Sequence, residues 1–411
     1  AKAVWDLTRA IARNSSSRMA SRPLSGRSVH GHAGRIFWCD AREAAADPAL
    51  PATVVTGCED GTVGVWTDGT NSSAPKGWSF TAHTEEALRV AWEQGPTDGL
   101  VYSGGSDGTV KAWRIDLEEE RSTAIFQASV LSKAGDEGQV YSLIQFSSNT
   151  TELAVAHDNC VTVLDKPNFA ELCAWRYHPL GDISVGGARN PLGRCFVFDA
   201  TTHGEMVVAA LSDGSIRLRD LRSPLRDIAA VAVHSAYATC CAVSPSGNII
   251  VSGNGQGGVK AMDIRTFGEL LSHDPPAGKP GAPKFGAGFW PGTEETFFSW
   301  SGDGSMILHR DNVQCPIDVD IRSRKRGQNY PVYCAKASIH GHKLYVSGGQ
   351  APEENALPSR TGLPPTPSLA QGCLRVNESP GESLNPWLSV DLSSGMVEEF
   401  LANAANTASG N

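Results

Sequence analysis

The sequence predicts an all-β protein, and two observations carry this prediction. Glycine and proline are abundant, with 43 Gly and 24 Pro among 411 residues, above an average combined usage of about 12%. They are spread along the whole chain, which is typical of many short strands joined by turns rather than of long helices. The second observation is a tight turn that recurs at near-regular intervals between short apolar runs.

Composition sets limits on the class of protein. The chain is 40% hydrophobic and 19% charged, so it has enough apolar material to bury a large core. No uninterrupted apolar run reaches the roughly 18 residues of a membrane-spanning helix, and we expect no membrane partner. A net charge of −9 argues against wholesale wrapping of nucleic acid. Ten cysteines without a CxxC pair, and no secretory signal, predict reduced thiols in an intracellular protein.

The recurring turn is Asp-Gly or a variant of it, which favours a β-hairpin because the turn needs the positive φ that Gly tolerates. Its pivotal positions are separated by 43 to 55 residues. They are Asp60, Asp107, Asp158, Asp213, Gln256 and Asp303. A seventh unit, 344–349, follows about one interval later.

Each turn lies between two strand-like runs, and a further strand-like run precedes each hairpin, as at 36–39 and 88–92. Units of this length with up to four antiparallel strands are typical of propeller blades. Closing the units into a ring also removes exposed sheet edges. The sequence therefore predicts a seven-bladed β-propeller of four-stranded antiparallel blades.

At these residues the chain resembles the WD-repeat β-propeller family. In that family a His, a Ser or Thr, the turn Asp and a Trp form a hydrogen-bonded chain across a blade. The first two units supply complete sets: His32, Thr56, Asp60 and Trp66, then His83, Ser103, Asp107 and Trp113. The resemblance implies that these are buried structural tetrads and not catalytic pairs. The other units keep only parts of the set; the fifth, for example, has Gln256 in place of the Asp.

The resemblance covers 27–400, and the predicted organisation follows from it. Residues 1–26 form a basic, Ser- and Arg-rich extension, which resembles either an organelle presequence or a docking helix. The propeller occupies 27–400, with a Pro-rich insertion at 350–371 in the last blade, and 401–411 form a tail.

The predicted function is that of a non-enzymatic protein-interaction scaffold, a subunit of a larger complex. Partner proteins or peptide segments are expected on the propeller face that carries the turns, through residues before the turns and at the starts of first strands. The candidates are Arg35, Glu59, Arg89, Tyr141, His157, Tyr237 and Tyr333. The expected localisation is cytoplasmic or nuclear, with organelle import through the N-terminal extension left open.

Two alternative functions have their own residues. Asp220 with Arg222, and Asp263 with Arg265, end the third strands of two consecutive units. They resemble the box by which WD-repeat substrate receptors dock onto the damaged-DNA-binding adaptor of cullin ubiquitin ligases. The basic cluster Arg322–Arg326 suggests instead an accessory subunit of an RNA-processing complex, and nucleic acid is expected only there.

Other signals predict no chemistry. Residues 253–258 have a GxGxxG spacing, but the run after them reads as a strand, whereas dinucleotide binding needs a helix there. The two His-Gly-His pairs have no ligand partners at suitable spacing in the sequence. We therefore predict no cofactor, no metal site and no enzymatic activity.

Overall fold

The computed structural model describes residues 25–29, 32, 34–42, 52–67, 76–93, 99–129, 139–146, 151–180, 195–222, 227–276, 279–310, 313–317, 332–337, 343–350 and 371–378. These residues form 28 strands, arranged as seven four-stranded sheets. In this part of the chain there is no helix with the length and apolarity needed to cross a membrane.

Six of the sheets, here called blades, take their four strands in chain order from the innermost to the outermost. Blade 1 contains β2 (Ile36–Arg42), β3 (Thr53–Cys58), β4 (Thr62–Thr67) and β5 (Lys76–Thr81). Blade 2 contains β6 (Ala87–Trp92), β7 (Leu100–Gly105), β8 (Thr109–Asp116) and β9 (Arg121–Ser129). Blade 3 contains β10 (Val140–Gln145), β11 (Glu152–His157), β12 (Cys160–Asp165) and β13 (Ala170–Arg176).

The next three blades repeat this plan. Blade 4 contains β14 (Val197–His203), β15 (Met206–Leu211), β16 (Ser215–Asp220) and β17 (Ala229–Ala232). Blade 5 contains β18 (Ala238–Val243), β19 (Ile249–Asn254), β20 (Val259–Asp263) and β21 (Glu269–His273). Blade 6 contains β22 (Lys284–Phe289), β23 (Phe297–Ser301), β24 (Met306–Arg310) and β25 (Val313–Ile317).

Blade 7 joins the two ends of the described chain. It contains β26 (Val332–Ala337), β27 (Lys343–Gln350) and β28 (Gln371–Glu378), and its outermost strand is β1 (Ser25–Val29). β1 runs antiparallel to β28, with Ser25 opposite Glu378. The predicted boundary at residue 27 thus falls inside a strand of the ring. The predicted Pro-rich insertion separates β27 from β28, and its residues 351–370 lie outside the described residues.

The innermost strands contact one another in a closed circle, β2 to β6, β10, β14, β18, β22, β26 and back to β2. This confirms the predicted all-β, seven-bladed propeller. Both faces of each blade are covered by neighbouring blades, so consecutive residues of a middle strand are buried, as in 153–157 of β11. Burying each Val or Leu side chain between blades contributes about 1.5–3 kcal/mol.

Each innermost strand carries a β-bulge at its second residue. In β2, Ile36 lies opposite Cys58 but Trp38 already lies opposite Gly57, so Phe37 is the extra residue. The bulged residues of the seven blades are Phe37, Leu88, Tyr141, Phe198, Thr239, Phe285 and Tyr333. Because each innermost strand starts opposite the end of the second strand, these residues lie on the side of the hairpin turns. We call this side the turn face.

Candidate functional site

Aromatic side chains gather around the centre of the turn face. Five of the seven bulged residues are aromatic, and Tyr237 precedes the innermost strand of blade 5. A bulge re-aims the side chain that it carries, and here it brings rings of consecutive blades together. We call this set the aromatic collar. It consists of Phe37, Tyr141, Phe198, Tyr237, Phe285 and Tyr333.

The collar has two arcs. In one, Tyr333 stacks on Phe285 with ring centroids 5.5 Å apart and meets Phe37 edge-on at 5.2 Å. In the other, Phe198 lies 6.3 Å from Tyr141 and 5.6 Å from Tyr237. Tyr237 is 41% exposed and the other five rings are half-buried. The collar therefore offers apolar area held in place by ring-to-ring contacts.

Three of the predicted partner-binding residues lie together beside the first arc. Arg35 forms an ion pair with Glu59 at 2.6 Å, and its guanidinium lies 5.2 Å from the centre of the Phe37 ring. The hydroxyl of Tyr333 accepts a hydrogen bond from Arg35 at 3.5 Å. The hydrogen bond from Arg35 lowers the pKa of Glu59 against the opposing effect of burial. This group adds a fixed charge pair to an otherwise apolar collar.

Arg89 and His157 are placed differently from the other partner-binding candidates. Arg89 follows the bulged Leu88 along β6 and is therefore one residue farther from the turn face. Its guanidinium lies 4.0 Å from the centre of the Trp38 ring. His157 is only 4% exposed and its Nε2 lies 2.8 Å from the hydroxyl of Thr162. This burial disfavours direct contact between His157 and a partner, so of the predicted partner-binding residues His157 has the least support from the structure.

The tetrad residues of blade 2 form a continuous hydrogen-bonded chain. Nδ1 of His83 lies 3.0 Å from Asp107 Oδ1, and Nε2 lies 2.9 Å from the hydroxyl of Ser103. That hydroxyl also accepts the indole N–H of Trp113 at 2.8 Å. Burial acts to raise the pKa of Asp107, but the hydrogen bond from Thr109 and the charge of His83 hold it below its ordinary value.

In blade 1 the chain runs through one additional hydroxyl. Nδ1 of His32 lies 3.0 Å from the hydroxyl of Thr62, which in turn donates to Asp60 at 2.5 Å. The residue that precedes the turn explains this difference between blades 1 and 2. Cys58 occupies the register position that Gly105 holds in blade 2, and its side chain lies where the direct His–Asp contact would form.

The same replacement creates a group of metal-ligand types. His32, Cys58 and Asp60 offer an imidazole nitrogen, a sulfur and a carboxylate oxygen within 4.8 Å of one another. The sequence did not reveal this group, because β2 separates His32 from Cys58 and Asp60 and no short metal-binding spacing results. However, Thr56 accepts the indole N–H of Trp66 at 2.7 Å and lies 2.7 Å from Nε2 of His32. Both imidazole nitrogens thus already have hydrogen-bond partners, which argues against metal binding.

Two degenerate blades differ from the sequence interpretation. In blade 5 the partner of His234 is Asn254, whose Nδ2 lies 3.1 Å from Nδ1, and not Gln256 at the turn. Asn254 ends β19, one register position before the turn, and from there its amide reaches the imidazole. In blade 3 the hairpin has only two turn residues, and Asp158 adopts a positive φ of 49°. This shorter turn moves Asp158 away from the tetrad position.

In both Asp-x-Arg pairs the Arg side chain contacts the carboxylate of the Asp two residues before it. Arg222 donates to both carboxylate oxygens of Asp220, at 2.9 Å and 2.5 Å. Arg265 forms a 3.2 Å ion pair with Asp263. Both arginine side chains are 75% exposed. Each pair ends the third strand of its blade, so the two guanidinium groups are presented by consecutive blades.

Comparison with known proteins agrees with this geometry. A family model described as "WD domain, G-beta repeat" matches residues 76–114 and 227–261, which contain the His–Ser contacts of blades 2 and 5. Over 233 residues the chain is 25% identical to the "Ribosome biogenesis protein WDR12 homolog" of Oryza sativa subsp. japonica. The match covers 53% of this chain and 52% of the rice protein, so the chain spans about half the length of this relative.

Proposed function

We propose, from the premise that this chain belongs to the WD-repeat family, that it is a non-enzymatic scaffold subunit of a multiprotein complex. The aromatic collar is the observation that carries this proposal. Aromatic and Arg side chains are the residues that most often dominate binding energy at protein interfaces. In the collar they are held on strands of a closed ring, so little ordering is needed on binding.

The titratable groups of the blades support a scaffold rather than an enzyme. His83 and Asp107 resemble an acid–base pair, but their polar atoms are occupied by Ser103 and Thr109. Burial lowers the pKa of His83. Groups bound in this way hold a blade together.

Capture of partners tests the proposal. Affinity purification with mass spectrometry would compare the natural chain with the double variant Phe198→Ala, Tyr237→Ala. We expect this variant to lose at least tenfold in partner recovery, which corresponds to about 1.4 kcal/mol. The matched control is Leu172→Ala, Leu270→Ala, which removes two exposed side chains on outermost strands. If the collar variant recovers partners as well as the control does, the collar is not the binding surface.

The Asp-x-Arg pairs favour one finer function, docking onto the adaptor of a cullin ubiquitin ligase. Its support is that Arg222 and Arg265 are both exposed and both oriented by a carboxylate. A guanidinium fixed in this way can make several planar hydrogen bonds to a partner. Co-purification of the adaptor should be lost in Arg222→Ala, Arg265→Ala and kept in Arg114→Ala, Arg121→Ala. Equal recovery from both double variants would exclude this function.

The rice relative favours another finer function, in an RNA-processing assembly, because its name is that of a ribosome biogenesis protein. The predicted RNA-contacting cluster Arg322–Arg326 lies outside the described residues. RNA binding with a steep salt dependence, reduced when the cluster is replaced by Ala, would support this function. Absence of RNA binding at low salt would rule out direct contact. The expected cytoplasmic or nuclear localisation also stays a prediction.

A further inference from the structure

A cavity of about 540 Å³ lies at the junction of blades 5 and 6. Its polar lining comes from His273 and Asp274, which lead out of blade 5, and from Lys284, His309 and Gln314 of blade 6. Ile307 contributes apolar wall. Cavities of roughly 300–1,000 Å³ that combine apolar walls with a few polar groups are typical of small-molecule sites.

The loss of the blade 6 tetrad accounts for this space. His309 stands at the tetrad Trp position, where its Nε2 lies 2.9 Å from the hydroxyl of Ser299, but imidazole is much smaller than indole. The tetrad His is missing as well. It stands four residues before the innermost strand in blades 2 and 5, whereas Pro280 has this position in blade 6. In blade 6 a smaller ring thus replaces the indole, and the tetrad imidazole is absent beside it.

The cavity contains polar groups whose bonding capacity is unused. Lys284 is 6% exposed, and its ammonium donates one hydrogen bond, to Ser301 at 2.9 Å. Among the described residues no carboxylate lies within ion-pair distance of it; Asp303 attracts it from farther away. Nδ1 of His309 and Nε2 of His273 are buried, and neither has a hydrogen-bond partner in the part of the chain that the structure describes. Buried charges in proteins are normally paired, so these groups favour an anionic ligand.

Charge is distributed unevenly along the cavity. Lys284 and His309 are buried, whereas Asp274 is exposed and accepts a hydrogen bond from Ser272 at 3.2 Å. Solvent screens the carboxylate of Asp274 more than the ammonium of Lys284. Burial lowers the pKa of His309 to about 3, so its neutral ring can donate one N–H without adding charge. A metal cation is disfavoured because Lys284 would repel it.

We propose that this cavity binds a small molecule through an oxyanion group of the phosphate or carboxylate type. Lys284 provides the counter-charge, and His273 and His309 donate hydrogen bonds to the oxyanion. The remaining volume accommodates the rest of the ligand between the apolar walls. This site is separate from the aromatic collar and goes beyond the proposed scaffold function.

Calorimetric titration tests the proposal with phenyl phosphate, benzoate and inorganic phosphate as probes. We expect at least one organic probe to bind the natural chain with a submillimolar dissociation constant. The ratio of the phenyl phosphate to the benzoate constant identifies the preferred oxyanion, and weaker binding of inorganic phosphate shows that the organic part contributes. If no probe binds at millimolar concentration, the proposal is wrong.

Two variants locate the binding. Lys284→Met should weaken it at least tenfold, whereas Lys260→Met, which removes the same charge from a lysine paired with Glu269, should leave it unchanged. His309→Trp should fill the cavity and abolish binding, and its indole N–H can donate to Ser299 as that of Trp113 does to Ser103. Its melting curve verifies the fold independently. Binding to either pocket variant with unchanged affinity would overturn the proposal, whatever the outcome for the collar.

Discussion

Gly105 illustrates how a single residue decides the form of a tetrad. A Cβ atom added there would lie 2.5 Å from Nδ1 of His83 and 2.8 Å from Oδ1 of Asp107. Real Cβ atoms do not approach so closely, so the direct His–Asp contact of blade 2 requires glycine. Blade 1 has Cys58 at this position, and there Thr62 bridges the two groups instead.

The substitution Gly105→Ala should therefore separate His83 from Asp107. We expect a loss of about 1–3 kcal/mol in the free energy of unfolding, because overpacking and a weakened buried hydrogen bond act together. Urea unfolding measures this change. The control is Gly268→Ala, whose added Cβ would meet only the hydroxyl of Thr266, at 3.2 Å, and should cost less than about 0.5 kcal/mol. Equal stability of the two variants would contradict the explanation.

The turn aspartates are expected to differ between blades. Asp107→Ala should destabilise the protein by about 1–3 kcal/mol, since His83 and Thr109 lose their acceptor inside the blade. Asp303→Ala changes the same turn position in blade 6, where Asp303 accepts a backbone hydrogen bond from Ser305 and, among the described residues, none from a histidine. It should cost less than about 1 kcal/mol. Melting temperatures measured by circular dichroism compare the two; the same decrease in both would refute the distinction.

At the level of elements, β1 and β28 complete the seventh blade by antiparallel pairing over five residues each. Without β1, β28 would become an unpaired sheet edge, and such edges promote association between chains. The segment of β1, Ser-Gly-Arg-Ser-Val, has no apolar alternation. Sequence patterning could not identify it as a strand because its partner lies at the other end of the chain.

Removal of residues 1–30 should therefore lower the melting temperature by about 5 °C or more, and should increase aggregation. Removal of residues 1–20 keeps β1 and serves as the control, for which we expect little change. Circular dichroism and size-exclusion chromatography measure the two effects. A truncated chain without β1 that melts like the control would show that the pairing contributes little.

The collar shows the limit of sequence-based prediction at this scale. The recurring turn correctly predicted hairpins and blades, because Asp-Gly constrains the backbone locally. Tyr141, Tyr237 and Tyr333 were predicted, but Phe37, Phe198 and Phe285 were missed. Their common position appears only when each strand is aligned by the register of its bulge, which depends on pairing between strands. The cavity of blade 6 was missed for a similar reason, since absent side chains leave no motif.

At the level of the whole molecule, buried imidazoles make the stability of the ring depend on pH. Burial lowers the pKa values of His32, His157 and His234 to about 4, and that of His309 to about 3, from an ordinary value of 6.5. Below pH 6.5 the unfolded chain therefore binds protons that the folded chain excludes. The stability that these groups contribute is complete above 6.5 and is lost as the pH falls through their folded values.

We therefore expect the free energy of unfolding to fall between pH 6.5 and 4, by about 1.4 kcal/mol per pH unit for each such histidine. Urea unfolding at several pH values measures the slope. The variant His309→Trp lacks one of these groups, so its slope should be smaller by the contribution of one proton. A slope equal to that of the natural chain would show that His309 is protonated in the folded state.

The pairing of β1 with β28 also bears on how the protein is made in the cell. Translation proceeds at about 5–20 residues per second, so β1 leaves the ribosome many seconds before β28 exists. By the end of that interval the nascent chain holds six complete blades, while β1 still lacks its pairing partner. A cellular factor that shields β1 would limit premature association between nascent chains. In a circularly permuted chain that starts at β26, β1 would be synthesised directly after β28, so the two strands could pair at once.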